Sequence, residues 1–544
     1  MPVQLLMRDR IFGEVGFGEL EERGGGAQAV FLEMDKRAGE LDEALVKIPI
    51  GPMPVQQPQI LQHLMRLVKQ LAVETVEVTE VMRVQRLAPQ GFNHRNNAGA
   101  FMGHDRNGQG ARKFSDGLTG GKENPARPAC GNGDKLIMTN ADMNALLRRL
   151  VVAGSWFLLT AAAGAAGANR PFPQADTVAG FGIRPGNLTP AQLNAAVSSY
   201  YGYWKAKYLA PSTRVPGDYK VNFDGKGTTV SEAMGYGMLL TVYLAGADPD
   251  ARACFDGLDR FRRRYPSSIN PALMCWKIPA SEAAVRDDCA TDGDLDMAFA
   301  LLLAHAQWGD ANYFDEATNL LAGIRTSLVR GDFSLRLGDW NVAAGQTRPS
   351  DFMPVNFRSF YAATHDGFWT NVENNCYAIL EQLQSAYAPG TGLIPDFATR
   401  AGAWKPAKAN FLESAHDGQY YYNSCRVPWR LGWAAYSGDC PRARQILVRF
   451  MRWAVARHLD PATFRAGYQL NGANLGGNHY DAACFIAPTG VAAMVTTNRA
   501  WLDATFAYGI NRRDGYYEDS VNLLSLLVMS GNAWVIPPSP AGGP

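Results

Sequence analysis

A chain of 544 residues, 47% hydrophobic and 19% charged, can bury at least one large core, and its length permits two or three domains. Its 52 basic and 51 acidic residues leave a formal charge of +1, which excludes a global field that would gather nucleic acid or an anionic membrane. A neutral partner is expected. Aromatic residues make up 11%, with 12 Trp, and such flat faces suit pyranose rings, although most Trp in any protein simply pack.

In chain order, residues 1–137 show scattered Gly, Asn and Arg with no sustained apolar period, and they read as a non-globular or mis-assigned extension. Next comes MNALLRRLVVAGSWFLLTAAAGAAGA, in which Arg148 and Arg149 precede an apolar run ending in Ala166-Gly167-Ala168. These are the three parts of a secretory signal peptide, assigned to 138–168 with cleavage before Asn169; the alternatives are a membrane anchor or a buried helix. On that reading translation starts at Met138 or Met143, and the mature, secreted protein is 169–544, free of the membrane. Seven of the eight cysteines lie in that part, and Cys275 with Cys289, bracketing a short polar loop, is the expected disulfide. No cysteine or histidine spacing forms a metal site, His365 and His416 included, and no cofactor is expected.

From about residue 190, helical periods follow one another between short Gly/Pro/Asp-rich breaks. Val372, Cys376, Ile379, Leu380, Leu383 and Tyr387 mark one apolar stripe, and Phe314, Ala317, Leu321, Ile324 and Leu328 another. Roughly a dozen such segments, with almost no strand alternation, predict a large all-α fold, and helical hairpins in that number fit a closed double ring.

Two acids stand in unusual settings. Glu232 is the only acid in TTVSEAMGYGMLLTVYLAG, where Ser231 or Thr229 can cap the following helix and burial would raise the carboxyl toward a general acid. The plainer role is a first-turn Glu facing the helix dipole. In CATDGDLDMAFALLLAHAQWGD, Asp292, Asp294 and Asp296 precede an apolar helix, and they could cap it, bind a sugar or hold calcium; no closing Glu supports a calcium loop.

Together these blocks resemble glycoside hydrolase family 8, the bacterial endoglucanases, chitosanases and xylanases. The run Ala290–Trp308 matches the family signature, and SEAMGYGM matches a second block with Ala233 where Gly is usual. RLGDW at 336–340, RPSDFMP at 348–354, CRVPWR at 425–430 and YYEDSVNLLSLLVMSGNAW at 516–534 extend the likeness over about 175–535. The resemblance implies an (α/α)6 barrel and an inverting endo-β-1,4-glucanase acting on a polysaccharide, with Glu232 as proton donor and Asp292 as the residue that holds and distorts the sugar. Chitosan or xylan is the second choice of substrate.

The sequence departs from the pattern at the general base. Many members carry Asp where this chain has Asn423, and an amide cannot take up the proton. Asn423 could orient the water, while Asp417 and Asp351 are the candidate replacements. Arg426 is expected to pair with a site carboxylate, and Trp276, Trp340 and Tyr516 to stack on sugar rings or else to pack. Two other classes stay open: a polysaccharide-binding protein that lost its base, and a lyase. A monomer is expected.

Overall fold

The computed structural model describes residues 167–174 and 181–536, and, nearer the N-terminus, three short strands. The chain divides into two compact units, Met1–Asn132 and Gly133–Pro544. In the first, β1 (Leu6–Arg8) pairs antiparallel with β2 (Gly16–Phe17) and parallel with β3 (Phe31–Leu32). The expected leader at 138–168 lies outside the described residues apart from Gly167 and Ala168.

The second unit holds twelve α-helices among the described residues. They alternate between two kinds. α1 (Pro190–Tyr208), α3 (Ala251–Arg264), α5 (Ala311–Ser327), α7 (Phe368–Tyr387), α9 (Pro441–Arg457) and α11 (Arg499–Asn511) each keep a buried stripe and a polar face. α2 (Ser231–Tyr243), α4 (Thr291–Trp308), α6 (Pro354–Thr364), α8 (Val427–Ser437), α10 (Ala483–Val495) and α12 (Tyr516–Met529) are buried nearly all round. A helix without a polar face must sit inside, and one with a single stripe must lie against it. The second set packs neighbour to neighbour, α2 on α4, α4 on α6, α6 on α8, α8 on α10, α10 on α12, and α12 back on α2. That closes an inner ring of six with the amphipathic helices outside it, the double ring that helical hairpins in this number fit and that the family resemblance implies.

Both quoted stripes face inward, except that Tyr387 is 41% exposed at the last position of α7, where the helix has run past the core. Local signals set several helix starts. Thr189 and Gln192 form a reciprocal capping box ahead of Pro190, and Asp310 and Asn498 cap α5 and α11. α2 is different: neither Thr229 nor Ser231 caps it, and both hydroxyls lack a hydrogen-bond partner. The chain enters this helix from β6 (Thr229–Val230), paired with β7 (Lys277–Ile278), and the Ser231 N–H donates to the Trp276 carbonyl. A strand neighbour supplies what a cap would have supplied.

Five of the six segments entering the inner helices are long, at 209–230, 265–290, 328–353, 388–426 and 458–482, with 512–515 ahead of α12 the short one, whereas those leaving them are short, at 244–250, 309–310, 365–367, 438–440 and 496–498. The long ones carry the remaining strands, β4 (Leu209–Pro211) with β5 (Tyr219–Val221), and β8 (Gln346–Thr347), β9 (Ala398–Ala401) and β10 (Ala403–Pro406) in one small sheet. All inner helices therefore begin at one rim, where the loops accumulate.

Below that rim the interior is filled in layers. Tyr243, Phe299, Trp433 and Trp534 meet with ring centroids 5.7–6.2 Å apart. Above them the Arg430 guanidinium spans the ring to the Asp296 carboxylate, with bonds of 2.9 and 2.5 Å, and Asn356 donates to the same carboxylate. A fully buried ion pair needs such bonding to offset desolvation; both Nη atoms of Arg430 meet it, and its Nε is left without a partner.

The disulfide expected between Cys275 and Cys289 is absent: all seven cysteines of 169–544 are free and buried. The loop between those two is fixed by other means. Trp276 N–H donates to the Asp288 carbonyl, and the buried Lys220–Glu282 pair at 2.6 Å ties the loop to β5.

Candidate active site

At the loop-bearing rim, glycines bring two helix starts together. A methyl group on Gly293 would stand 2.5 Å from the Ser231 carbonyl carbon, and one on Gly235 would stand 2.9 Å from Asp296 Cβ. Only hydrogen fits between α2 and α4 at these points, so the carboxylates at positions 232 and 292 are held side by side. Asp292, Asp294 and Asp296 do not precede the helix; they lie in the first turns of α4, which starts at Thr291. Asp292 and Asp296, one turn apart, share the face toward the axis. They meet Arg426 and Arg430, so the two acids and two cations form successive rungs across the ring.

Arg426 is the hub. Its Nη1 donates to Glu232 Oε2 and to Asp292 Oδ2, both at 2.9 Å, and contacts the Tyr236 hydroxyl at 3.2 Å. Its Nη2 donates to Ser350 Oγ at 2.9 Å and to Asn423 Oδ1 at 3.2 Å. The expected pairing of Arg426 with a site carboxylate is thus met twice.

The two acids differ in charge. Burial lifts Glu232 to about 7, with the Asp292 charge adding to the rise and Arg426 opposing it. Its side chain remains 18% open, so a substrate can reach it. Asp292 is also buried, which alone would raise it, but Arg348 and Arg426 outweigh that and hold it at about 2. Near neutrality one of these neighbours can give a proton while the other stays an anion.

The base candidates fall in distinct places. Asp417 is buried, and its oxygens accept from the N–H groups of Leu412, Glu413 and Ser414 at 2.6–3.0 Å. It is the staple of a turn, a placement that does not suit a base. Asp351 is buried against Arg348, whose Nε lies 2.9 Å from its Oδ1; burial raises it to about 6 against the pull of that guanidinium. Asn423 is a cross-link: its N–H and Nδ2 reach Asp396 Oδ2 at 3.0 and 3.3 Å, and Nδ2 also donates to Glu413 Oε2 at 2.8 Å.

Glu413 is the residue that sequence reasoning missed. It sits on the turn that Asp417 staples, its side chain is 46% exposed, and Arg348 Nη1 lies 3.8 Å from its Oε1. Arg348 went unremarked too, although RPSDFMP contains it. Its Nη2 is 2.9 Å from Asp292 Oδ1. In sequence Glu413 is one acid in a polar loop, and only its tertiary neighbours, Asn423 and Arg348, distinguish it.

Trp276 and Trp340 are each 38% exposed on loops flanking the start of α4. Trp276 is held through its Nε1 by Asp287, and Trp340 lies over Gly338, whose neighbour Leu337 accepts from the Thr291 N–H. Both can offer a ring face to a sugar. Tyr516 cannot act as an open platform: it is 6% exposed, packs edge-on to Tyr208 and Phe223, and donates to Glu232 Oε1 at 3.3 Å. As the first residue of α12 it is drawn inward with its helix. Among the described residues no group of three or more His, Cys, Asp or Glu is arranged to hold a metal ion.

Asp294 points away from the axis, accepts from the Met274 N–H at 3.0 Å and is fully buried. Burial lifts it to about 8, with Met274 and Arg262 pulling the other way. A carboxyl raised above its unfolded value stabilises the fold below the ordinary carboxylate range, and that contribution is lost as pH rises through about 8. Asp294→Asn keeps the acceptor without the charge. Its Tm relative to the parent is expected to climb between pH 5 and 9; parallel melting curves across that range would contradict the assignment.

The glycosyl hydrolases family 8 profile matches residues 190–531. A beta-glucanase of Niallia circulans is 41% identical over 392 residues, covering 70% of this chain and 95% of that protein. An endoglucanase of Bacillus sp. (strain KSM-330) is 39% identical over 385 residues, covering 67% of this chain and 82% of that protein. The structure of a beta-1,3-1,4-glucanase from Paenibacillus sp. X4 superposes with a TM-score of 0.65 at 40% identity, covering 68% of this chain and all of that one.

Proposed function

The chain belongs to glycosyl hydrolases family 8, and from that membership we propose that it is an endo-acting β-glucanase that cleaves β-1,4 bonds of a neutral glucan with inversion. The observation that carries the reading is the pair on Arg426: Glu232, lifted to about 7, beside Asp292, held at about 2. Hydrolysis of an acetal needs one group that can protonate the leaving oxygen and an anion that favours positive charge on the sugar ring. The two residues have those opposite properties.

Inversion also requires a carboxylate on the far face of the sugar with room for water, about 6.5–9.5 Å from the acid. Asp292 shares one guanidinium nitrogen with Glu232 and leaves no such room. Glu413 stands further out, separated from Glu232 by the Asn423 amide and the Arg426 guanidinium, and it is open to solvent. In this reading Glu232 delivers its proton to the glycosidic oxygen as the bond to the anomeric carbon breaks. Water attacks that carbon from the opposite face and gives its proton to Glu413, oriented by Asn423 and Arg348. Asp292 stays ionised and holds the distorted sugar, with Trp276 and Trp340 supporting neighbouring units.

We assign the role of leader peptide to 138–168 and of enzyme to 169–544, exported from the cell. Supporting this, the Asn169 N–H donates to the Gln307 carbonyl at 2.8 Å, and the Arg170 N–H to the Gln307 side chain, so the chain joins the barrel where cleavage is expected.

Reducing-sugar release on lichenan, carboxymethyl cellulose, xylan and chitosan tests the substrate, with proton NMR of the first anomer formed. Fastest cleavage is expected on lichenan or carboxymethyl cellulose, with the α-anomer appearing first. Preference for xylan or chitosan would refute the substrate class, and an initial β-anomer would refute the water-side role of Glu413.

A further inference from the structure

Arg348 lies between the two halves of the site. It is 11% exposed and enters on the loop ahead of α6. Its guanidinium uses each edge for a different acid: Nη2 is 2.9 Å from Asp292 Oδ1, Nε donates to Asp351 at 2.9 and 3.1 Å, and Nη1 is 3.8 Å from Glu413 Oε1. Asp351 is fully buried and both its oxygens accept from Arg348 Nε, so it fixes the fork rather than facing the substrate. With Nε anchored, the planar group can only point its other two nitrogens at Asp292 and at Glu413. The other oxygen of Glu413 is bound by Asn423, so the half-exposed side chain is steered from two sides.

We propose that Arg348 is a positioning residue that spaces the sugar-holding Asp292 from the water-side Glu413, so that one guanidinium sets the gap in which the attacking water sits. The inference rests on the family 8 reading and on Glu413 as its base. It has an electrostatic side as well. Glu232 faces Arg426, Asp292, Tyr236 and Tyr516, with Arg348 behind Asp292, and both cations favour its ionised form. Arg348 itself faces Asp292, Asp351, Glu413 and the like charge of Arg426. Removing the Arg348 charge leaves Glu232 holding its proton to higher pH.

The test compares the full chain with Arg348→Met, Arg348→Lys and Glu413→Gln on lichenan. Arg348→Met is expected to lower kcat about 100-fold, the scale of a misplaced catalytic group, with KM changed less than about threefold. The alkaline limb of its kcat/KM profile is expected to move to higher pH. Arg348→Lys keeps the charge without the fork, so its alkaline limb stays near the parent's and kcat recovers in part. The lysine variant keeps the proposal testable if the methionine variant does not fold. A parent-like kcat in Arg348→Met, or an alkaline limb that moves equally in both variants, overturns the proposal while the parent and Glu413→Gln still behave as the family reading requires. An inactive parent, or a fully active Glu413→Gln, overturns that reading and this proposal with it.

Discussion

Replacing Glu232 by Gln is expected to reduce kcat on soluble β-glucan by about 10³- to 10⁴-fold, the upper range for loss of a general acid. The amide oxygen can still accept from Arg426 and the amide NH2 can donate to the Tyr516 hydroxyl oxygen, so the site should keep its shape while losing the proton that Glu232 delivers. The parent should show the same dependence as a pH limb. Glu232 is held at about 7 by burial, and it must be protonated to act, so kcat/KM is expected to decline as pH rises through about 7. Asp292, held at about 2, stays ionised throughout that window and contributes no limb of its own. Oligosaccharide binding by calorimetry should persist in Glu232→Gln. If the variant hydrolyses lichenan at the parent's rate, the enzyme acts by other groups; if the parent shows no rate above the variant's, the chain is a binding protein that kept the fold.

Glu413→Gln is expected to have the second largest effect, about 10²- to 10³-fold on kcat, because the water loses its proton acceptor while the leaving-group side stays intact. Asn423→Asp should not raise activity above the parent's. The new carboxylate would stand 2.8 Å from Glu413 and 3.3 Å from Asp396, and like charges at that distance force one to stay protonated. A parent-like rate in Glu413→Gln would remove the role given to Glu413, and a gain in Asn423→Asp would show that a carboxylate at position 423 serves as the better base.

The helices were legible from their apolar period, which supports a large all-α fold, while their closure into two rings came from the number of hairpins and the family resemblance. Glu232, Asp292 and Arg426 stood out because each sits in a local block that resembles family 8; from its own segment alone Glu232 reads as a first-turn residue facing the helix dipole. Motifs are silent about contacts between segments far apart in the chain. Glu413 becomes visible only when a loop from between α7 and α8 is laid beside Arg348 from the loop ahead of α6, and no local pattern carries that juxtaposition. The same limit explains the misplaced expectations. Asp417, read as a possible base because it is an acid near Asn423, spends its charge on three backbone N–H groups beside it. Tyr516 had the right ring for stacking, but the inward pitch of α12 turned its hydroxyl to Glu232. Cys275 and Cys289 had the spacing of a staple in a loop already pinned by Lys220 and Glu282.

The unequal loops at the two ends of the barrel have a practical corollary. Glu232, Asp292, Arg348 and Glu413 lie at the crowded rim, while the tight connections at 309–310, 365–367, 438–440 and 496–498 gather at the opposite one. A surface-anchoring tag, a fluorophore or a fused partner attached through 365–367 or 438–440 would sit at the end of the barrel opposite the rim that carries Glu232 and Asp292. Orientation on a solid support can thus be chosen from the connectivity of the hairpins.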